Sequence, residues 1–182
     1  MDKESLRQEI LSKLSALSND TIQSLSFSLT NQLIKLFSSL PELQGQVGAG
    51  YLPLKAEIAP VYQELLRAVP LIMSYPVLNE GEMTFAIPNG MPRGSTWLEP
   101  PYALTEPKWF LVPGVGFDLS GARLGRGKGY YDRYLADAQY LKIGLAWTEQ
   151  LVERIPVEQH DCFMDYIITE DFCWDVNRQE RF

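Results

Sequence analysis

Residues 109–146 read WFLVPGVGFDLSGARLGRGKGYYDRYLADAQYLKIGLA, and the order of textures within them decides the fold. Residues 109–112 are a short, wholly apolar run of the buried-strand type. A glycine-rich stretch follows over 115–129, then a helical segment over 130–139, and another strand over 141–146. Strand, loop, helix, strand reads as a βαβ unit of a largely parallel sheet.

Outward from this unit the same alternation holds. Leu6, Ile10, Leu11, Leu14 and Leu17 recur at helical spacing, which predicts a first helix to about Leu17. Asn19-Asp20 can cap a second helix toward Phe37, striped by Ile22, Leu25, Leu29, Leu33 and Leu36. The glycines between Gly45 and Gly50 break the chain ahead of a short strand near Tyr51-Leu52. A helix over 61–68 and a strand over 71–75 come next. Residues 76–107 are proline-rich and irregular, with only 83–87 strand-like. Thr148 can cap a short helix ending before Pro156, and 166–169 makes a last strand. The expectation is one α/β domain over 1–182, with a largely parallel sheet covered on both faces.

Composition narrows the function. The 182 residues are 46% hydrophobic and 21% charged, ordinary for a globular protein. The charge of −7 and a pI near 4.8 argue against nucleic-acid binding. No run of about 18 apolar residues suits a membrane span. MDKESLRQEI at the N-terminus lacks the apolar core of a signal peptide. Cys162 and Cys173 offer neither a disulfide framework nor zinc spacing, as in a reducing cytoplasm.

Against that acidic background, residues 123–133 hold Arg123, Arg126, Lys128 and Arg133 with one acid, Asp132, a local charge of +3. Gly125, Gly127 and Gly129 alternate with the cations, so backbone N–H groups can approach an anion closely. The stretch is not a Walker A loop, because Gly129 follows Lys128 where Ser or Thr is required. It is not GxGxxG either, because Tyr130 replaces the third glycine. A solvated turn is the competing reading; the flanking strand and helix favour phosphate.

On the first helix Lys3 and Arg7 fall within the apolar arc, at ~100° per residue. Either they snorkel off its end or they reach an anion held against the domain. Asp132 and Asp161 are carboxylates that suit Mg²⁺ beside a phosphate. Unless the two stand near each other, they read better as a first-turn helix acid and a turn residue. His160, the single histidine, reads as a turn residue beside Asp161.

The run from Pro113 to Asp132 resembles the signature of the 5-formyltetrahydrofolate cyclo-ligase (methenyltetrahydrofolate synthetase) family. Lys3-x-x-x-Arg7, Tyr51-Leu-Pro-Leu-Lys-Ala-Glu57, Trp97-Leu-Glu-Pro100 and the tail from Gln150 to Glu170 accompany it in order. The resemblance implies a three-layer α/β/α sandwich and an ATP- and Mg²⁺-dependent ligase acting on 5-formyltetrahydrofolate, polyglutamylated or not. It implies that Lys3, Arg7, Arg123, Leu124, Gly125, Arg126, Gly127, Lys128, Gly129, Tyr130 and Tyr131 contact ATP. Arg123 and Lys128 would stabilise the transferring phosphoryl group. Leu52, Glu57 and Trp97, with residues 126–130, would line the folate site, and Asp132 and Asp161 would serve Mg²⁺. Met83 and Phe85 are further candidates for the pterin wall.

A cytoplasmic monomer is expected, with no nucleic-acid or membrane partner. The rival reading is a nucleotide-binding regulatory protein without ligase activity, favoured by a middle segment shorter than is common in the family.

Overall fold

The structure is a computed structural model describing residues 2–54, 57–90, 92, 97–136, 140–159 and 161–182. Its first helix, α1 (Lys3–Ser15), starts where the Asp2 carboxylate accepts from the N–H groups of Glu4 and Ser5. The second, α2 (Asn19–Ser39), is capped by Ser18, whose hydroxyl accepts from the Thr21 N–H at 3.1 Å. The cap therefore stands one residue before the expected Asn19. α3 (Tyr62–Ala68) and α4 (Tyr130–Leu135) are shorter.

The strands are β1 (Val47–Ala49), β2 (Ile72–Asn79), β3 (Glu82–Pro88), β4 (Tyr102–Thr105), β5 (Trp109–Pro113), β6 (Gly116–Phe117), β7 (Arg123–Leu124), β8 (Leu141–Leu145), β9 (Tyr166–Ile168), β10 (Cys173–Asp175) and β11 (Glu180–Arg181). Among the described residues nine of these form one sheet in the order β11-β10-β9-β8-β5-β1-β2-β3-β4. Its centre, β9-β8-β5-β1-β2, is parallel. Both wings are antiparallel. β6 and β7 form a separate hairpin in the connection after β5.

Alternation along β5 assigns the layers. Trp109 and Leu111 face the core beneath α1, α2 and α3, with Ile10, Leu33, Phe37 and Leu65. Phe110 and Val112 face the opposite core, with Phe85, Phe117, Met164 and Leu135 of α4. The α/β/α layering is present, with the α4 side the thinner.

Several elements differ from expectation. The first strand lies inside the glycine stretch, not at Tyr51-Leu52. An ideal Cβ on Gly48 would stand 2.0 Å from the Trp109 indole, so the strand has no side chain to show there precisely because the indole fills that space. β2 runs on through Pro76 to Asn79. β4 hides among prolines. The run at 166–169 is not the last strand, since β10 and β11 follow. The 148–150 segment is a single 3₁₀ turn rather than a helix, and the helix from Tyr130 ends at Leu135, with residues 137–139 outside the described set.

The Gly48–Trp109 contact makes a prediction. Gly48→Ala is expected to destabilise the fold by about 1–3 kcal/mol, the usual range for overpacking. Denaturant unfolding measures it, and an unchanged midpoint would refute the crowding.

Candidate active site

The central strands leave β1 in opposite directions. The chain goes from β1 to β2 on one side, while β5, β8 and β9 build outward on the other. In open α/β sheets such a switch point opens a crevice outside the carboxyl ends of the strands. Here the segment after β1, carrying Tyr51, Leu52, Leu54 and Glu57, meets the segment after β5, which carries the glycine loop. Between them lies a cavity of about 440 Å³.

The loop is built on fixed points. Asp118, almost fully buried, accepts from the N–H groups of Ser120 and Ala122 and, through its other oxygen, from Ile155 N–H at 2.7 Å. That pins the β6–β7 hairpin. Arg123 then turns inward: its Nη2 donates to Asp132 at 2.7 Å and its Nη1 to the Pro113 carbonyl at 3.1 Å. Its side chain is only 6% exposed. Gly129 takes a left-handed conformation (φ +63°) to start α4, and Arg133 Nη1 donates to the Lys128 carbonyl. With six residues, α4 adds little dipole, so the loop's side-chain cations carry most of its positive charge.

Across the cavity stand the residues expected on the folate side. Glu57 Oε2 accepts from the Leu54 N–H at 2.9 Å, and Oε1 accepts from Arg126 Nε at 2.8 Å. Trp97 meets the Tyr130 ring edge-on at 5.2 Å. Beneath them Tyr131 is buried, which pushes its hydroxyl well above the usual phenol range, partly offset by Arg123. The Tyr131 hydroxyl and Arg123 Nε have no hydrogen-bond partner among the described residues.

Of the expected residues, Leu52, Glu57, Trp97, Arg123, Gly125, Arg126, Lys128, Gly129, Tyr130, Tyr131 and Asp132 line this one cavity. Leu124 and Gly127 do not; the Leu124 side chain is in the α1-side core. Arg7 lies outside the lining but donates from Nε to the Gly125 carbonyl at 2.8 Å, so α1 braces the loop. Lys3 goes elsewhere, bonding Asp161 at 2.7 Å and Glu158 at 2.9 Å. Burial opposes its charge, but these two carboxylates outweigh that and raise its pKa.

Asp161 is not part of the cavity wall, yet it is near. Cys162 Sγ donates to the Asp132 carbonyl at 3.5 Å, so the segments carrying Asp132 and Asp161 touch. Among the described residues no three acids, cysteines or histidines form a metal cluster. The two aspartates offer an oxygen-only set, which fits Mg²⁺, an ion content with one or two protein carboxylates beside phosphate oxygens. His160 lies outside the described residues.

Met83 and Phe85 belong to the core around Phe110 instead of the cavity. Tyr51, Leu54, Pro76, Leu78, Pro113 and Gly114 line it without having been singled out. Tyr51 and Leu54 belong to the same Tyr51–Glu57 motif as Leu52, and Pro113-Gly114 open the glycine-rich signature, so a signal for these four was in view. Pro76 and Leu78 gave none, lying in a segment read as irregular. Since the middle of the chain supplies β3, β4 and Trp97, its shortness does not remove the cavity wall, and no observation favours the regulatory reading.

A cationic glycine loop facing aromatic side chains and a carboxylate, at a switch point of parallel strands, is the arrangement of an α/β enzyme with room for an anionic ligand beside a flatter one. A sequence profile of the 5-formyltetrahydrofolate cyclo-ligase family matches residues 1–170. A 5-formyltetrahydrofolate cyclo-ligase of Mycoplasma pneumoniae is 32% identical over 176 residues, covering 94% of this chain and all of that one. The mouse enzyme of that name is 46% identical over 66 residues, a match spanning 33% of this chain and 32% of the mouse protein. Among solved structures, the 5,10-methenyltetrahydrofolate synthetase of Mycoplasma pneumoniae superposes with a TM-score of 0.78 at 31% identity, covering 93% and 99% of the two chains. That of Aquifex aeolicus gives 0.75 at 31% identity, covering 97% and 93%. The chain belongs to the 5-formyltetrahydrofolate cyclo-ligase family.

Proposed function

We propose that this chain converts 5-formyltetrahydrofolate and ATP to 5,10-methenyltetrahydrofolate, ADP and phosphate. The observation that carries the reading is one cavity lined by Lys128 and Arg126 of the glycine loop on one side and by Leu52, Glu57 and Trp97 on the other. A formamide oxygen is a poor leaving group. Transfer of the γ-phosphoryl group to it, with ADP departing, makes it a good one. N10 then attacks the formyl carbon and loses its proton, and phosphate leaves as the bridge forms.

Such chemistry needs positioning and charge neutralisation more than a protein nucleophile. Lys128 neutralises the transferring phosphoryl on this reading, which is supported by its exposure and by its having no carboxylate partner among the described residues. Arg123, clamped between Asp132 and the Pro113 carbonyl, holds the loop in shape and adds fixed positive charge. Glu57 accepts from the N–H donors of the pterin, and Trp97 with Tyr130 flanks its ring. Arg7 positions the loop through Gly125. Lys3, on the same helix, would add charge toward the nucleotide.

Asp132 and Asp161 would hold Mg²⁺, which supplies charge neutralisation to bound polyphosphate when present. Activity is expected to vanish with EDTA and return with Mg²⁺. Asp161→Asn should raise the Mg²⁺ concentration needed for half-maximal rate while the protein still folds. A metal titration superimposable on wild type would remove Asp161 from the site.

The same reading carries a single domain over 1–182, acting as a cytoplasmic monomer on a small-molecule substrate without a nucleic-acid partner. No helix among the described residues is long and apolar enough to cross a membrane. The decisive assay is ATP-dependent growth of methenyltetrahydrofolate absorbance from 5-formyltetrahydrofolate. No absorbance change, with ATP still bound, would overturn the reading.

A further inference from the structure

The glycine loop carries two arginines three residues apart that are held in opposite ways. Arg123 is 6% exposed and locked between Asp132 and the Pro113 carbonyl. Arg126 is 42% exposed and makes one long-range bond, from Nε to Glu57 at 2.8 Å, across 69 residues of sequence. Glu57 is the more buried partner, its side chain 11% exposed and its other oxygen fixed by the Leu54 N–H. The carboxylate is thus preset, and the guanidinium is the part that can leave.

The backbone around Arg126 permits that movement. The Gly125 carbonyl is tied to Arg7 on one side, and the Lys128 carbonyl is tied to Arg133 on the other. Between these ties lie only Arg126 and Gly127, and Gly127 stands at φ +90° with nothing within 4 Å of where a Cβ would be. Among the described residues, Arg126 is the loop cation that reaches across the cavity to a carboxylate, and the glycine beside it has open space around it.

We infer that Arg126 is a positioning residue that couples the two substrates: it occupies Glu57 while the cavity is empty and is released toward ATP when a folate takes Glu57. The inference rests on the reading of Glu57 as the pterin acceptor given above. A pterin N–H donor and the Arg126 guanidinium compete for the same Oε1. A polyphosphate at the loop draws Arg126 away and frees that oxygen, and a folate on Glu57 frees Arg126 for phosphate. By linkage, each ligand tightens the other by the same factor.

The test measures 5-formyltetrahydrofolate affinity by calorimetry, with and without Mg²⁺ and the β,γ-imido analogue of ATP, in wild type and Arg126→Gln. Wild type should bind the folate at least fivefold more tightly when the analogue is present. In Arg126→Gln the folate affinity without nucleotide should hold or improve by up to about fivefold, the range of a partly exposed ion pair. The enhancement by the analogue should at the same time shrink at least threefold.

Weaker nucleotide-free folate binding in Arg126→Gln would make Arg126 a direct folate contact and overturn the coupling. Undiminished enhancement in the variant would overturn it as well. Wild type that binds the folate with no enhancement sinks the coupling alone, whereas wild type that binds no folate sinks the functional reading with it. Thermal melting checks that the variant is folded, and Arg126→Met, which keeps the apolar stem, repeats the measurement if the glutamine is not tolerated.

Discussion

Lys128→Ala is expected to lose about 10²–10³ in turnover while melting as wild type does. The side chain sits on the loop at the cavity wall, exposed, with no ion pair among the described residues to lose. Its removal leaves no buried partner stranded, so stability is unaffected. On the proposed reading, what disappears is a charge that faces the phosphoryl group as it moves, and one such preorganised stabiliser is worth that range. Steady-state kinetics checks it, with ATP affinity measured separately. Turnover equal to wild type would take Lys128 out of the chemistry. A loss confined to KM for ATP would make it a binding group only.

Glu57→Gln is expected to weaken folate binding by about ten- to a hundredfold, with ATP affinity in the absence of folate kept or improved by up to about fivefold as Arg126 loses its ion pair. Glu57 Oε2 accepts from the Leu54 N–H, and a glutamine carbonyl would keep that bond. Its NH₂ then points to where Oε1 now accepts, and presents a donor to every donor that approaches. Charge-assisted bonds contribute roughly 1.5–3 kcal/mol, which sets the expected loss. Equilibrium binding of 5-formyltetrahydrofolate and of ATP, each alone, separates the outcomes. If ATP binding falls while folate binding persists, the two sides of the cavity are inverted.

The central unit was legible because both of its signals are local. Trp109–Pro113 is a continuous apolar run, and Leu141–Leu145 is a short, mostly apolar run broken only by Lys142; the structure pairs them in parallel. Strands whose character depends on a partner were not. β1 has glycine at its centre because Trp109 fills that space, so its own residues show no pattern. β4 and β10 are edge-side strands of four and three residues, formed by antiparallel return onto β3 and β9, and nothing within them separates strand from loop.

For the site, the loop's charge and glycines were readable in one line of sequence. The bonds that assemble it were not: Arg126 to Glu57, Arg7 to the Gly125 carbonyl and Lys3 to Asp161 each join residues 69 or more apart. The apolar-face cations of α1 show the difference plainly. Periodicity marked Lys3 and Arg7 as out of place, and only the fold shows that one braces the loop and the other meets two carboxylates.

The four tryptophans divide by environment in a way that gives the protein its own optical reporter. Trp109 and Trp147 are wholly enclosed, and Trp174 is tied through its indole N–H to the Leu119 carbonyl on the hairpin. Trp97 alone lines the cavity, edge-on to Tyr130. A ligand entering the crevice therefore changes the surroundings of one indole in four. Emission from the enclosed pair stays as a constant blue background. Trp97→Phe should abolish the ligand-dependent part of the signal and keep that background, so occupancy can be followed in the unlabelled protein at the wall where the folate is expected to lie.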